Sequence, residues 1–366
     1  MNKIYTALGT MSGTSMDGVD VSIIQSDGED NYKVIKDKYF EYPQAIYKHL
    51  TKLRDKIKSS KDLKKFSKEI KTIEKEITLF HAKAVKQILK KTRENVDFIG
   101  FHGQTIYHNA KEKISKQLGD GKLLSKITKK TVVYDFRQND LKNGGEGAPL
   151  TPIFHQMLAK KFNIKPVSFF NIGGILNKTT IWDDGKLSAT DYGPGMCLID
   201  KWIRTNSKKK YDNNGDIAKS GKMNEIVLEK YLNNFREFDP ERKSYDTNDF
   251  SISIVKDLSL KDGAATLTLY TANLFNAHFE GNTNLKIKEK TILCGGGRKN
   301  KFLVDIIKSY NKDVKLVDDY GIDGDFIESQ ALAYLAIRSY LGLSISFPET
   351  TGCKKISTGG EIIKIR

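Results

Sequence analysis

The sequence predicts an α/β protein of two lobes, each a sheet begun by hairpin strands and completed by helices. Three observations carry this. The first is the stretch Gly9-Thr10-Met11-Ser12-Gly13-Thr14-Ser15-Met16-Asp17-Gly18-Val19-Asp20, set between the apolar runs 4–8 and 21–24, which reads as strand, tight turn, strand. The second is recurrence: three consecutive strands followed by helices occur twice, as an old duplication of one α/β unit would leave. The third is size, since 366 residues exceed what a single core usually holds. The lobes read as 1–145 and 146–344, with the tail 345–366 returning to the first lobe as an edge strand through Ile362, Ile363 and Ile365. A cleft between two such lobes is where a ligand is expected.

In chain order, 3–10, 18–26 and 33–42 are alternating or β-rich and predict strands, with turns at 13–18 and 27–31. Residues 44–58 and 61–93 predict helices. In the second, Leu63, Phe66, Ile70, Ile73, Ile77, Phe80 and Ala84 recur at alternating steps of three and four and stop at Gln87. Such a stripe is either a seam between two copies or the buried face of one long packing helix. Short buried strands follow at 96–101 and 131–134. The pattern then restarts with strands at 167–171, 175–182 and 187–190, the first two joined by Gly173-Gly174. Helices are expected at 195–206, 222–234 and 261–279. Strand 291–294, helix 299–309, strand 314–317 and helix 324–341 close the second unit.

Composition excludes several classes. Hydrophobic residues make up 39% of the chain, with 18 Phe and 16 Tyr, which supplies real cores and excludes a disordered protein. No apolar run reaches membrane-spanning length, and 1–5 leads into a strand rather than a signal-peptide core. Cys197, Cys294 and Cys353 are far apart and show no metal or redox spacing, as expected of a reducing cytoplasm. The net charge of +16 is mostly lysine scattered along helices without interleaved aromatics. It fits a lysine-rich proteome better than nucleic-acid binding, and a positive field also attracts anionic small molecules.

The candidate chemistry lies in the glycine turns and the polar residues beside them. A Gly/Ser/Thr hairpin turn presents backbone N–H groups and hydroxyls to an anion. No Gly-Lys-Ser/Thr follows, so it is not a P-loop. Phe101-His102-Gly103-Gln104-Thr105 ends a predicted strand, where His102 and Gln104 either meet a polyhydroxylated ligand or serve a turn. Arg137 in Asp135-Phe136-Arg137 suits a carboxylate. The following Gly144-Gly145-Glu146-Gly147-Ala148-Pro149 either lets backbone approach a ligand or is a plain linker. Asn171-Ile172-Gly173-Gly174-Ile175 is a second hairpin turn. Asp191-Tyr192-Gly193-Pro194-Gly195 sets an acid at a strand end before a helix N-terminus, which places a carboxylate beside an anion site. Gly295-Gly296-Gly297 joins a strand to a helix, where three glycines admit a flat base. Glu328 lies one turn into the last long helix, either exposed or aimed at the cleft as a second carboxylate.

Together these motifs resemble the anhydro-N-acetylmuramic acid kinase family, in order and spacing from residue 4 to about 352. The segments that carry the resemblance are 11–20, 102–105, 135–137, 147–150, 171–175, Asp191 with Gly193-Pro194-Gly195, 294–297, and Glu328. The Met-Ser-Gly-Thr-Ser signature is the specific part. The resemblance implies a two-lobed actin-like ATPase fold of the sugar kinase, hsp70 and actin type. It implies ATP-dependent opening of the 1,6-anhydro ring of 1,6-anhydro-N-acetylmuramic acid with phosphorylation of O6, in cell-wall recycling. By the same resemblance Asp191 is the base for the water that attacks C1, and Glu328 helps orient it. Gly13, Thr14, Ser15, Met16, Asp17, Gly18, Val19 and Asp20, with Gly193 and Gly195, hold ATP phosphates, and Gly295, Gly296 and Gly297 face adenosine. His102, Gln104, Thr105, Arg137, Gly147 and Asn171 contact the sugar. Mg²⁺ is expected through ATP phosphates and water with no protein ligand assigned, and a homodimer is a possible assembly. Tyr192 and Met196 stand where the family has Thr and Asn, and Asn139 where it has Arg.

Two rival readings differ in observable ways. Another actin-like kinase would act on a different sugar or carboxylate. A nucleotide-dependent assembly or regulatory protein would polymerise with ATP and show no sugar-dependent turnover.

Overall fold

A computed structural model describes residues 3–236, 244–283 and 289–365. The strands are β1 (Tyr5–Ser12), β2 (Gly18–Ser26), β3 (Tyr32–Glu41), β4 (Phe98–Asn109), β5 (Ile114–Leu118), β6 (Thr131–Tyr134), β7 (Val167–Ile172), β8 (Ile175–Ile181), β9 (Leu187–Pro194), β10 (Lys290–Cys294), β11 (Lys315–Leu316) and β12 (Glu361–Ile363). The first helices are α1 (Gln44–Lys56), α2 (Ser60–Lys65), α3 (Ser67–Leu89), α4 (Gly121–Thr128), α5 (Gln138–Lys142) and α6 (Pro152–Lys161). Then come α7 (Cys197–Asn206), α8 (Asp216–Lys219), α9 (Glu225–Arg236), α10 (Leu260–Thr283), α11 (Lys301–Tyr310), α12 (Ile327–Tyr340) and α13 (Pro348–Thr351).

The chain divides into two compact units. One comprises residues up to Phe162 together with those from Asp325 onward; the other is Asn163–Gly324. The first unit's sheet runs β12-β6-β4-β1-β2-β3, with β5 on β4. Its β1, β2 and β3 form an antiparallel meander, and β4 and β6 add in parallel. The second unit's sheet runs β11-β10-β7-β8-β9, with the same meander and the same two parallel additions. Strands β3-β2-β1-β4-β6 and β9-β8-β7-β10-β11 therefore repeat one topology. The predicted α/β class and its duplicated sheets are what the chain forms. The central strands are largely closed to water, β1 at all but Tyr5 and Met11 and β7 at every residue, as strands covered on both faces require.

The unit boundaries differ from the expected 145/146 and 344/345, and the reason is packing. Helix α12 lies against β1, β2 and β4. Contact is close because Gly9 and Gly100 carry no side chain: a Cβ at Gly9 would sit 1.9 Å from the Ser329 carbonyl oxygen, and one at Gly100 2.3 Å from that of Leu332. Helix α6 belongs to the first unit through Phe154, whose ring is 5.3 Å from Tyr32 and 5.6 Å from Tyr334. The tail ends in β12, antiparallel to β6.

The single helix expected at 61–93 is two, broken at Phe66 (φ −99°, ψ 19°). Ile70, Ile73, Ile77 and Ala84 of its apolar stripe are buried in the same core as Val19, Val21, Ile99 and Phe101. The stripe is thus the buried face of a packing helix within this chain. Strand β4 runs past the expected 101 to Asn109, with Gly103 at φ +73° inside it. The strand expected at 314–317 is only two residues long.

Burial also fixes the protonation of the histidines. His81, His102, His155 and His278 all have pKa values lowered to about 3, chiefly by burial. A histidine depressed in the folded state takes up its proton only on unfolding. Stability is therefore full above pH ~6.5 and falls as pH drops from there toward 3. The melting temperature is expected to decline steadily between pH 7 and 5; a flat profile in calorimetry at those pH values would contradict the neutral assignment.

Candidate functional site

In the first unit the β1–β2 turn is closed by Met16 N–H donating to the Gly13 carbonyl at 3.2 Å, with Met16 at φ +57° and its side chain buried. Thr14 and Ser15 form the exposed tip, and Ser15 Oγ donates to Asp17 Oδ1 at 2.6 Å. Added bulk at Gly13 would meet only Ser15 Oγ, 4.0 Å away, so its side is open. Gly18 and Val19 are the buried first residues of β2 instead; a Cβ on Gly18 would fall 2.5 Å from the Phe40 carbonyl oxygen. Asp20, half-buried, sits in the same strand opposite Met11 and Tyr39.

The segment 102–105 lies within β4, not at its end. Neutral His102 donates from Nδ1 to the Gly103 carbonyl (3.0 Å) and accepts at Nε2 from Arg137 Nη2 (3.0 Å). Arg137 Nη1 donates to the Gly147 carbonyl at 2.6 Å, and Gly147 N–H donates to Asp140 Oδ2 at 2.7 Å. His102, Arg137 and Gly147 are therefore brought together, which the sequence reading grouped only by function. Gln104 is different. It is buried, accepts at Oε1 from Ser12 (2.6 Å) and donates from Nε2 to the carbonyls of Gly13 (3.1 Å) and Thr105 (3.2 Å). Its amide serves the β1–β2 turn, so the expected sugar contact is not supported. Thr105 Oγ1 accepts from Gln117 Nε2 at 3.1 Å across to β5. Glu328 stands half-buried in the first turn of α12, where the helix dipole favours an acid.

In the second unit Asp191 is inside β9, cross-strand from Asn177, which in turn faces Asn171. The register slips beside it: Leu176 pairs with Gly193 and Asn177 with Asp191, so Tyr192 is the extra residue of a β-bulge. Gly193 takes φ 137° there. Asp191 Oδ2 accepts from Tyr245 N–H at 2.6 Å, which fixes the carboxylate's direction. The expected anion site at the α7 N-terminus is occupied by protein. N–H groups of Gly195 and Cys197 donate to the Gly174 carbonyl (3.0 and 3.1 Å), and that of Met196 to the Gly173 carbonyl (2.8 Å). Gly195 is needed for that close approach, a Cβ there falling 2.4 Å from Gly173 O. In the triplet, Gly295 and Gly297 press on β7, where a Cβ would meet Asn171 Oδ1 and Ile172 Cγ2 at 2.3 Å; Gly296 alone opens onto free space.

Sequence reasoning missed Arg298. Buried, it binds Asp318 in two places (Nε–Oδ2 2.6 Å, Nη2–Oδ1 3.0 Å) and donates from Nη1 to the Gly295 carbonyl at 3.1 Å. This bidentate pair clamps the glycine turn, and Arg298 holds the Asp318 carboxyl below its usual range against the opposing effect of burial. The signal was present as Arg298 directly after the glycines and the Asp318-Asp319 pair, but nothing in the sequence joined the two. Among the described residues no His, Cys, Asp and Glu side chains gather in a metal-holding group of three.

The family model for anhydro-N-acetylmuramic acid kinase matches residues 5–364. A protein of that name from Pelagibacter ubique is 52% identical, over 100% of both chains. The chain belongs to the anhydro-N-acetylmuramic acid kinase family. A second member, from Brucella canis, is 37% identical over 98% of this chain and 99% of its own. Among solved structures, component A of (R)-2-hydroxyglutaryl-CoA dehydratase from Acidaminococcus fermentans is similar at TM-score 0.46 and 10% identity, covering 92% of this chain and 99% of that one.

The three residues that the resemblance set apart each have local partners in the structure. Tyr192 and Met196 pack against the second unit's core, Tyr192 edge-on to Phe170 at 5.6 Å with Lys178 Nζ 5.0 Å from its ring centre. They are packing groups here, so the bulge carrying Asp191 is braced by an aromatic ring. Asn139 donates to the Thr358 carbonyl at 2.5 Å and ties the tail to α5. No helix of the described residues is long and apolar enough to cross a membrane.

Proposed function

We propose that this enzyme transfers the γ-phosphoryl group of ATP to O6 of 1,6-anhydro-N-acetylmuramic acid while water opens the anhydro bridge at C1. The observation that carries the reading is the full-length match to the anhydro-N-acetylmuramic acid kinase family, 52% identity with no uncovered segment on either chain. Water oxygen bonds to C1, the C1–O6 bond breaks, and O6 takes the phosphoryl group, giving N-acetylmuramic acid 6-phosphate and ADP. O6 has no proton to lose, so the group that needs a base is the water. Asp191 takes that proton; its carboxylate is turned by the Tyr245 N–H and carried on a bulge, where a strand re-aims a side chain. Glu328 assists in orienting the water.

Two features fit the nucleotide. The β1–β2 turn presents an exposed Thr14-Ser15 tip with an open glycine before it, and Gly296 offers a bare backbone surface. When bound, magnesium ATP supplies the phosphoryl group and neutralises charge as it develops. Mg²⁺ is assigned to phosphates and water, without a protein ligand. His102 stays neutral and positions Arg137, whose guanidinium meets the sugar's lactyl carboxylate. A cytoplasmic setting suits three free cysteines.

ADP release with magnesium ATP tests this on three sugars side by side: 1,6-anhydro-N-acetylmuramic acid, N-acetylmuramic acid and N-acetylglucosamine. Turnover confined to the anhydro sugar is expected. Equal turnover with the open sugars would contradict a mechanism built around the bridge, and ATP-driven assembly without sugar turnover would favour a filament-forming or regulatory role.

A further inference from the structure

Behind the β1–β2 turn, four buried side chains are hydrogen-bonded in one direction. His81 Nε2 lies 3.4 Å from Tyr42 Oη, Tyr42 Oη donates to Ser12 Oγ at 3.1 Å, and Ser12 Oγ donates to Gln104 Oε1 at 2.6 Å. Gln104 Nε2 ends the chain on the Gly13 carbonyl. Each donor fits only one order. Tyr42 spends its proton on Ser12, so His81 must donate from Nε2, leaving the bare nitrogen at Nδ1, which has no partner among the described residues. Ser12 has one proton and two acceptors within reach, the Gly18 carbonyl being farther at 2.9 Å. Burial keeps the Tyr42 hydroxyl protonated by pushing its pKa up.

The chain's end point decides what it does. The Gly13 carbonyl and the Thr14 N–H belong to one planar trans peptide and point in opposite directions. Holding the carbonyl inward, by Gln104 and by Met16 N–H, turns the Thr14 N–H outward at the exposed tip. We propose that His81, Tyr42, Ser12 and Gln104 are positioning residues that aim the Thr14 N–H at the phosphates of the bound nucleotide. This rests on reading the β1–β2 turn as the phosphate site. It moves Gln104 from the sugar to the nucleotide, and it gives His81 and Tyr42, which no sequence motif marked, a part in ATP recognition.

Steady-state kinetics on three variants of the full chain tests it. Tyr42→Phe keeps the ring against Phe80 (4.8 Å) and removes only the relay hydroxyl. Its KM for ATP is expected to rise about tenfold, the value of roughly one buried hydrogen bond, with KM for the sugar nearly unchanged. Phe80→Leu loosens the same packing without touching the chain. It is expected to lower the melting temperature and leave KM for ATP alone; an equal rise in that KM would mean general loosening and overturn the proposal. Thr14→Asp places a negative charge at the exposed tip and reports on the phosphate site itself. If it raises KM for ATP while Tyr42→Phe does not, the relay is wrong and the site stands. If neither variant changes KM for ATP, the phosphate site falls, and the relay with it.

Discussion

Asp191→Asn is expected to lower kcat by about 10²- to 10⁴-fold, the range that removing a general base spans. ATP affinity should hold within about twofold, since a carboxamide is uncharged yet similar in shape. The substitution is clean for a structural reason. Asn keeps an oxygen that can accept the Tyr245 N–H, so the loop held at 2.6 Å in the native protein is not released. The neighbouring bulge rests on Gly193 and on the Tyr192 ring, neither of which changes. Steady-state turnover with the anhydro sugar, beside calorimetric titration with ATP, separates chemistry from binding. Near-normal kcat in the variant would remove Asp191 from the role of base.

Gly9→Val is expected to destabilise the first unit by about 3 kcal/mol or more, the upper range for overpacking a closed site. Added carbon at residue 9 meets backbone, the Ser329 carbonyl oxygen at 1.9 Å and the Ala333 nitrogen at 2.5 Å, and backbone does not rotate away as a side chain does. Helix α12 must lift off β1. That helix carries Glu328 in its first turn and is pinned by Ser22 to Ser329 (2.6 Å) and by Gln330 to Tyr32 and Asp37 (2.6 and 3.0 Å). Stability and turnover should therefore fall together. A melting temperature reduced by roughly 6 °C or more is expected in thermal denaturation. An unchanged melting temperature would mean α12 does not depend on that close approach.

Gly9 also shows where sequence reading fails. In the sequence it opens the glycine-rich stretch near the end of the strand predicted over 3–10, and nothing there marks what its missing side chain is for. In the fold it is mid-strand, and its missing side chain is read by a helix more than three hundred residues later. Glycine used for close packing and glycine used for a turn look alike until the partner is known. The same ambiguity covers Gly195, Gly295 and Gly297, which serve helix and strand contacts, whereas Gly13 and Gly296 keep an open side.

What depends on local pattern was legible. Alternation and turn residues located the two meanders, and their recurrence revealed the duplicated topology. What depends on pairing was not. Strand β4 runs on through Gly103 because β5 gives it a partner, and β9 runs on through Asp191 because a bulge absorbs Tyr192. Gln104 looked like a ligand contact because it is polar beside a glycine; only its burial and its bonds to Ser12 and Gly13 reassign it. Arg298 and Asp318 are twenty residues apart, and their bidentate contact has no local signature.

Turnover of 1,6-anhydro-N-acetylmuramic acid with magnesium ATP in ¹⁸O-water, with products weighed by mass spectrometry, tests the coupled reaction most directly. One ¹⁸O at C1 of a 6-phosphorylated sugar, with one ADP per sugar, is the predicted result. A phosphorylated sugar without the label, or one that keeps its anhydro bridge, would contradict water attack at C1 and with it the place given to Asp191.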